Sequence, residues 1–168
     1  LDDLYAGVDS PALKADMAEC RKAAKQLETE WRGRLGDLTA NHLIAVINSY
    51  EKILERFGKV QSHAQLLFAA NTNDPTIAKH HQLVREVGAE IGAALLFVEL
   101  ELAKIDERHM ADLLKAGELR HFAPWLRRVR AMAPFQLSDE IEKMIAERSP
   151  TGSGAWVRLF DETTTSMR

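Results

Sequence analysis

The sequence predicts an all-α fold: a long antiparallel helical hairpin with a first helix laid beside it, bundle-like, then several short helices and no sheet. Three observations predict it. Glycine and proline gather at the boundaries of segments rather than inside them. Between those boundaries, apolar residues recur at alternating steps of three and four, the spacing that collects them on one face of a helix. No segment alternates apolar and polar residues with period two, the mark of a half-buried strand.

The first helix opens at Ser10-Pro11, a capping hydroxyl followed by a proline at the first helical position. Its stripe runs Leu13, Met17, Cys20, Ala24, Leu27 and Trp31, and stops at Gly33 and Gly36. Thr39 caps the second helix, with a stripe through Leu43, Ile47, Tyr50, Leu54 and Phe57 to Ala64, Leu67 and Phe68. Gly58 lies inside it, costs about 1 kcal/mol relative to alanine, and marks a bend. Asn71-Thr72-Asn73-Asp74-Pro75 breaks the chain and restarts it, again by a cap and a proline. The third helix passes through Ile77, Val84, Val87, Ile91, Leu95, Val98, Leu102 and Ile105. It also carries Leu96, Phe97 and Leu100, an arc wide enough to make it the central, most buried helix. At about 1.5 Å per residue, the second and third helices are each roughly 45 Å long. One short turn between them makes an antiparallel pair.

Past Asp106 the elements shorten: one through Met110 to Leu114, one from Phe122 to Met132, one opened by Ser138 and running to Glu147, and a last one carrying Trp156 and Phe160. The expected organisation is one helical domain over residues 1–168, with three long helices in 1–105 and short helices in 106–168.

A chain of 168 residues buries roughly 70% of its unfolded surface and needs no staple. Hydrophobic residues at 46% and charged residues at 28% exclude disorder, collagen and coiled-coil tails. A net charge of -3 gives no footprint for nucleic acid. Cys20 is the sole cysteine, so no internal disulfide forms, a reducing compartment such as the cytoplasm is favoured, and the thiol is read as a small buried hydrophobe. No apolar run approaches the roughly 20 residues of a membrane span, and Leu1-Asp2-Asp3 is unlike a signal peptide.

The search for chemistry returns little. No two of the six histidines stand three or four apart, the spacing that puts two zinc ligands on one helical face. His80 and His81 are adjacent, point about 100° apart on a helix, and are read as a surface or partly buried pair. Asp106-x-x-His109 and Glu118-x-x-His121 have the spacing of a di-metal bundle motif, but both fall among the short elements beside Gly117, not mid-helix. Gly152-Ser153-Gly154 lacks both the nucleophile-elbow frame and the Gly-Lys-Ser/Thr of a phosphate loop, and is read as a turn before the last helix. Arg127, Arg128 and Arg130 beside Trp125 could stack on nucleotides; in a net acidic chain they are read as a solvated helix face. On the residues alone, no catalytic and no metal-binding residue is assigned, which leaves an interaction or scaffold module.

Three stretches together carry a resemblance: Leu1-Asp2-Asp3-Leu4-Tyr5-Ala6-Gly7, Leu66-Leu67-Phe68-Ala69-Ala70-Asn71-Thr72-Asn73-Asp74-Pro75, and Ser149-Pro150-Thr151-Gly152 through Ala155-Trp156-Val157-Arg158-Leu159-Phe160-Asp161-Glu162. In order and spacing the chain resembles the N-terminal region of oligoendopeptidase F, a zinc endopeptidase related to thimet oligopeptidase. The resemblance implies a parent that hydrolyses oligopeptides with a His-Glu-x-x-His helix and a downstream glutamate, zinc being its cofactor. No His-Glu-x-x-His occurs in these 168 residues, so no catalytic or metal residue is carried over, and this region is expected to be inactive alone. With Leu1 in place of an initiator methionine and six residues after Glu162, both ends are read as cuts in something longer. The implied role is architectural: a helical wall of a deep channel that admits flexible oligopeptides and excludes folded proteins.

The expected partners are therefore the missing C-terminal catalytic region and, in the parent, oligopeptide substrates, with neither nucleic acid nor membrane. Trp156, Leu159 and Phe160 are the candidates for contact with the missing part, and left open they would promote self-association. Their burial in this domain's own core is the alternative. At the level of the whole chain, the alternative is a free-standing helical bundle that binds a protein partner.

Overall fold

The computed structural model describes residues 1–167. Its helices are α1 (Pro11–Trp31), α2 (Ala40–Ala70), α3 (Pro75–Lys104), α4 (Glu107–Leu113), α5 (Ala123–Met132), α6 (Asp139–Arg148) and α7 (Ser153–Ser166). Short 3-10 turns lie at Leu35–Asp37, Leu119–Phe122 and Ala133–Phe135, and no strand occurs among the described residues. The fold is all-α, as the periodicity requires.

The wide apolar arc of α3 has a physical consequence: it needs neighbours on several sides, and it packs against α1, α2, α5 and α6. Val98 and Leu102 are fully enclosed, as are Leu43, Ile47 and Val60 of α2 and Leu13 and Ala24 of α1. One apolar cluster runs from Tyr5 through these helices to Val129.

The helix ends follow local chemistry. The Thr39 hydroxyl accepts from the His42 amide, and Asp74 accepts from the amides of Thr76 and Ile77, with Pro75 in the first turn. Ser10 stands at the start of α1, but its hydroxyl makes no capping bond and Pro11 alone marks the entry. At the other end of α1, Gly33 takes a left-handed φ of 80°, the conformation glycine supplies after a helix. The turn is clamped from a distance: the Glu101 carboxylate accepts from Gly33 N at 2.6 Å and from Leu35 N at 3.1 Å.

Several expectations need correction. Leu54 is 44% exposed while Ile53 is buried, because over 31 residues the 3.6-residue repeat drifts away from a strict 3-4 alternation. Trp31, Tyr50 and Leu67 are half-buried, each at the margin of its stripe. His80 and His81 are buried, each 8% exposed, because that turn of α3 lies beneath the N-terminal segment and α2.

Candidate functional site

The last third of the chain departs from the rest in where its apolar residues face. In α6 the half-buried positions are Asp139, Glu142, Lys143 and Ala146, the i, i+3, i+4, i+7 set of one helical face. That face meets the bundle through ions. Lys104 pairs with Asp139 at 2.6 Å, and Lys143 approaches Glu28 at 3.7 Å. Burial works against the Glu28 charge, and Lys25, Lys143 and Arg32 around it outweigh that, holding its carboxyl below the usual range. With the polar face turned inward, Ile141, Met144 and Ile145 point to solvent, as does Leu137 just before the helix.

Helix α7 goes further. Gly154 is its one buried residue. The guanidinium of Arg85 lies where a side chain at 154 would stand, and Arg158 donates to Gln82 Oε1 at 3.1 Å. Trp156 is 73% exposed, Phe160 67%, and Val157 and Leu159 are also open. At about 100° per residue these four cover an arc of roughly 160°. Met132 and Phe135, at the end of α5 and in the following turn, are exposed as well. Consecutive elements thus leave apolar area exposed.

Trp156, Leu159 and Phe160, singled out from the sequence, thus all lie on the surface with no part in the core cluster. Met132, Phe135, Leu137, Ile141, Met144, Ile145 and Val157 share this exposure and were not singled out. Which way the apolar residues of α6 face is set by the Asp139 and Lys143 ion pairs.

The other chemical candidates are structural. Asp106 accepts from the amides of Arg108 and His109 and caps α4, so its carboxylate is spent on the backbone. The His121 ring stands edge-on to Phe122. Trp125 stacks on Tyr50 at 5.8 Å, which removes it as a platform for a base. Burial, then the Glu99 carboxylate to which it donates, pushes the Tyr50 hydroxyl far above its usual range. Arg127 and Arg128 are solvated, whereas Arg130 is half-buried and donates to the Ile105 carbonyl. Ser153 opens α7 without a capping bond. Among the described residues no group of three or more His, Cys, Asp and Glu is placed to hold a metal ion. No helix among them is long and apolar enough to cross a membrane.

These open helices fall inside a recognised sequence region. Residues 101–168 match the model of a family described as Oligopeptidase F. Oligopeptidase PepF of Bacillus subtilis (strain 168) is similar to it, 21% identical over 122 residues that make up 72% of this chain and 18% of PepF. The chain thus matches less than a fifth of the length of that curated relative. No solved structure matches it.

Proposed function

We propose that this chain is the non-catalytic, N-terminal helical region of a cytoplasmic zinc-dependent oligoendopeptidase, folded as one domain and helping to wall the channel in which the parent hydrolyses peptide bonds of oligopeptides. One observation carries the reading: the segment matching the Oligopeptidase F family is the segment whose helices α6 and α7 leave their apolar faces open. A larger catalytic region packed on Trp156, Leu159, Phe160 and the α6 stripe would remove that area from water, at roughly 25 cal/mol per Å².

The residues present do not fit a zinc site, since no ligand cluster is placed for one among the described residues and no His-Glu-x-x-His occurs in the sequence. Zinc belongs in this reading to the rest of the parent. What this chain contributes is shape: a stiff three-helix wall that limits access to extended peptides. An unstructured oligopeptide should be cleaved by the full-length parent and protected by chelation, while the isolated chain leaves it intact. Zinc-dependent cleavage by the isolated chain would overturn the assignment.

A further inference from the structure

At the hairpin end of the bundle, His63 of α2 and His80 of α3 meet edge to face with ring centroids 6.4 Å apart, and Tyr5 stands edge-on to His63 at 5.4 Å. His63 Nδ1 and His80 Nε2 are the buried side-chain polar atoms without a hydrogen-bond partner among the described residues. Both orphans therefore sit in one contact. A neutral imidazole tolerates this, because the unpaired position can be a lone pair. A protonated ring cannot, because both nitrogens become donors and one N–H points into a place with no acceptor.

We propose that the His63–His80 contact is an acid-opened latch: it holds the N-terminal segment 1–9 and the α2–α3 end against the bundle while the His80 ring is neutral, and proton uptake by His80 releases them. The surroundings supply two positions for His80. On one side it meets the His63 ring. Outward it borders a cavity of about 690 Å³ that is also lined by Val8, Asp9, Lys14, Phe68 and Arg158. A charged ring would find water there, and the Asp9 carboxylate as well.

The charges around His80 leave the inward position without a counterion. Asp9 of the N-terminal segment is engaged by Lys14 of α1 at 2.9 Å. Arg158 of α7 lies near Glu162 at 3.4 Å, and Lys79 and Glu86 of α3 line the same cavity. Tyr5 commits its hydroxyl to Asp16 at 2.7 Å. Burial, and then the neighbouring His63, push His80 below the ordinary imidazole range. A lowered folded-state value means that the closed form is fully favoured above the ordinary imidazole range and loses ground as pH falls through and below it. His81 is a second titratable ring at this end: it stacks on Phe68 at 4.5 Å and its Nε2 meets Gln65 Oε1 at 3.0 Å, and burial, then Arg85, push it below the ordinary imidazole range as well.

Amide hydrogen exchange on the 168-residue chain between pH 7.5 and 5, corrected for intrinsic rates, tests this. The opening constant for Tyr5 and for residues 60–68 and 80–84 should rise up to about tenfold per pH unit for each proton taken up, while Val98 and Leu102 keep their protection. The His63→Phe/His80→Leu double variant should show a clearly shallower profile, the remaining slope being carried by His81. Equal protection at both pH values, uniform loss throughout α3, or an unchanged slope in a folded double variant would each overturn the latch. The unmodified chain gives an independent reading by NMR: the His80 ring should titrate below the ordinary range and in step with the opening. Titration at the ordinary value with protection intact would sink the proposal even if the double variant failed to fold.

Discussion

Glu101 is the residue on which the corner after α1 depends. Its two oxygens take the amides of Gly33 and Leu35, donors that the end of a helix and a tight turn would otherwise leave to water. Gly33 was legible as a stop signal, since a left-handed residue follows many helices. Its clamp was not, because the carboxylate comes from 68 residues further along. Glu101→Ala should lower stability by about 2 kcal/mol, the range for hydrogen bonds to a charged group. Urea unfolding would check it, and a midpoint equal to that of the unchanged chain would remove Glu101 from this role. Cys20 shows the opposite case. Its burial at 1% follows from a stripe position visible in the sequence, and burial pushes its thiol up, as suits an inert small hydrophobe.

At the scale of elements, the existence of every α-helix was readable, and approximate bounds for all but α7, of which only Trp156 and Phe160 were named. Caps, prolines and glycines are local signals that need no knowledge of the partner helix. Facing is different. The stripes of α1 and α3 point to the core as expected, whereas α6 turns its apolar face outward and holds on through Asp139 and Lys143. Helix α7 is held by still less, with Gly154 against Arg85 and a hydrogen bond from Arg158. Segments with so little buried area open locally at small free-energy cost. Backbone amides of α7 should therefore exchange at least a hundredfold faster than those of Val98 and Leu102 in α3, as hydrogen exchange at neutral pH would read. Equal protection in α3 and α7 would mean that α7 is bound to the bundle more firmly than its contacts indicate.

For the whole molecule, the central place of α3 explains the rest: the helix that is apolar over the widest arc collects α1, α2, α5 and α6 around it. What remains uncovered is the apolar surface of α6 and α7, and in the chain by itself this surface should drive self-association. Sedimentation should find concentration-dependent oligomers, with Phe160→Ser shifting them toward monomer. Phe160 is 67% exposed, so the substitution leaves the core intact, and an unchanged oligomeric state would remove Phe160 from the contact. By itself the sequence determined the all-α class, the order of the helices, the central helix and the resemblance to oligopeptidase F. Each of these rests on periodicity, capping and residue order, which are written along the chain. Only the tertiary structure decided which face α6 presents, which carboxylate closes the first corner, and that His63 and His80 meet with no partner. Those depend on side chains far apart in sequence competing for the same buried space, and no local pattern records the outcome of that competition.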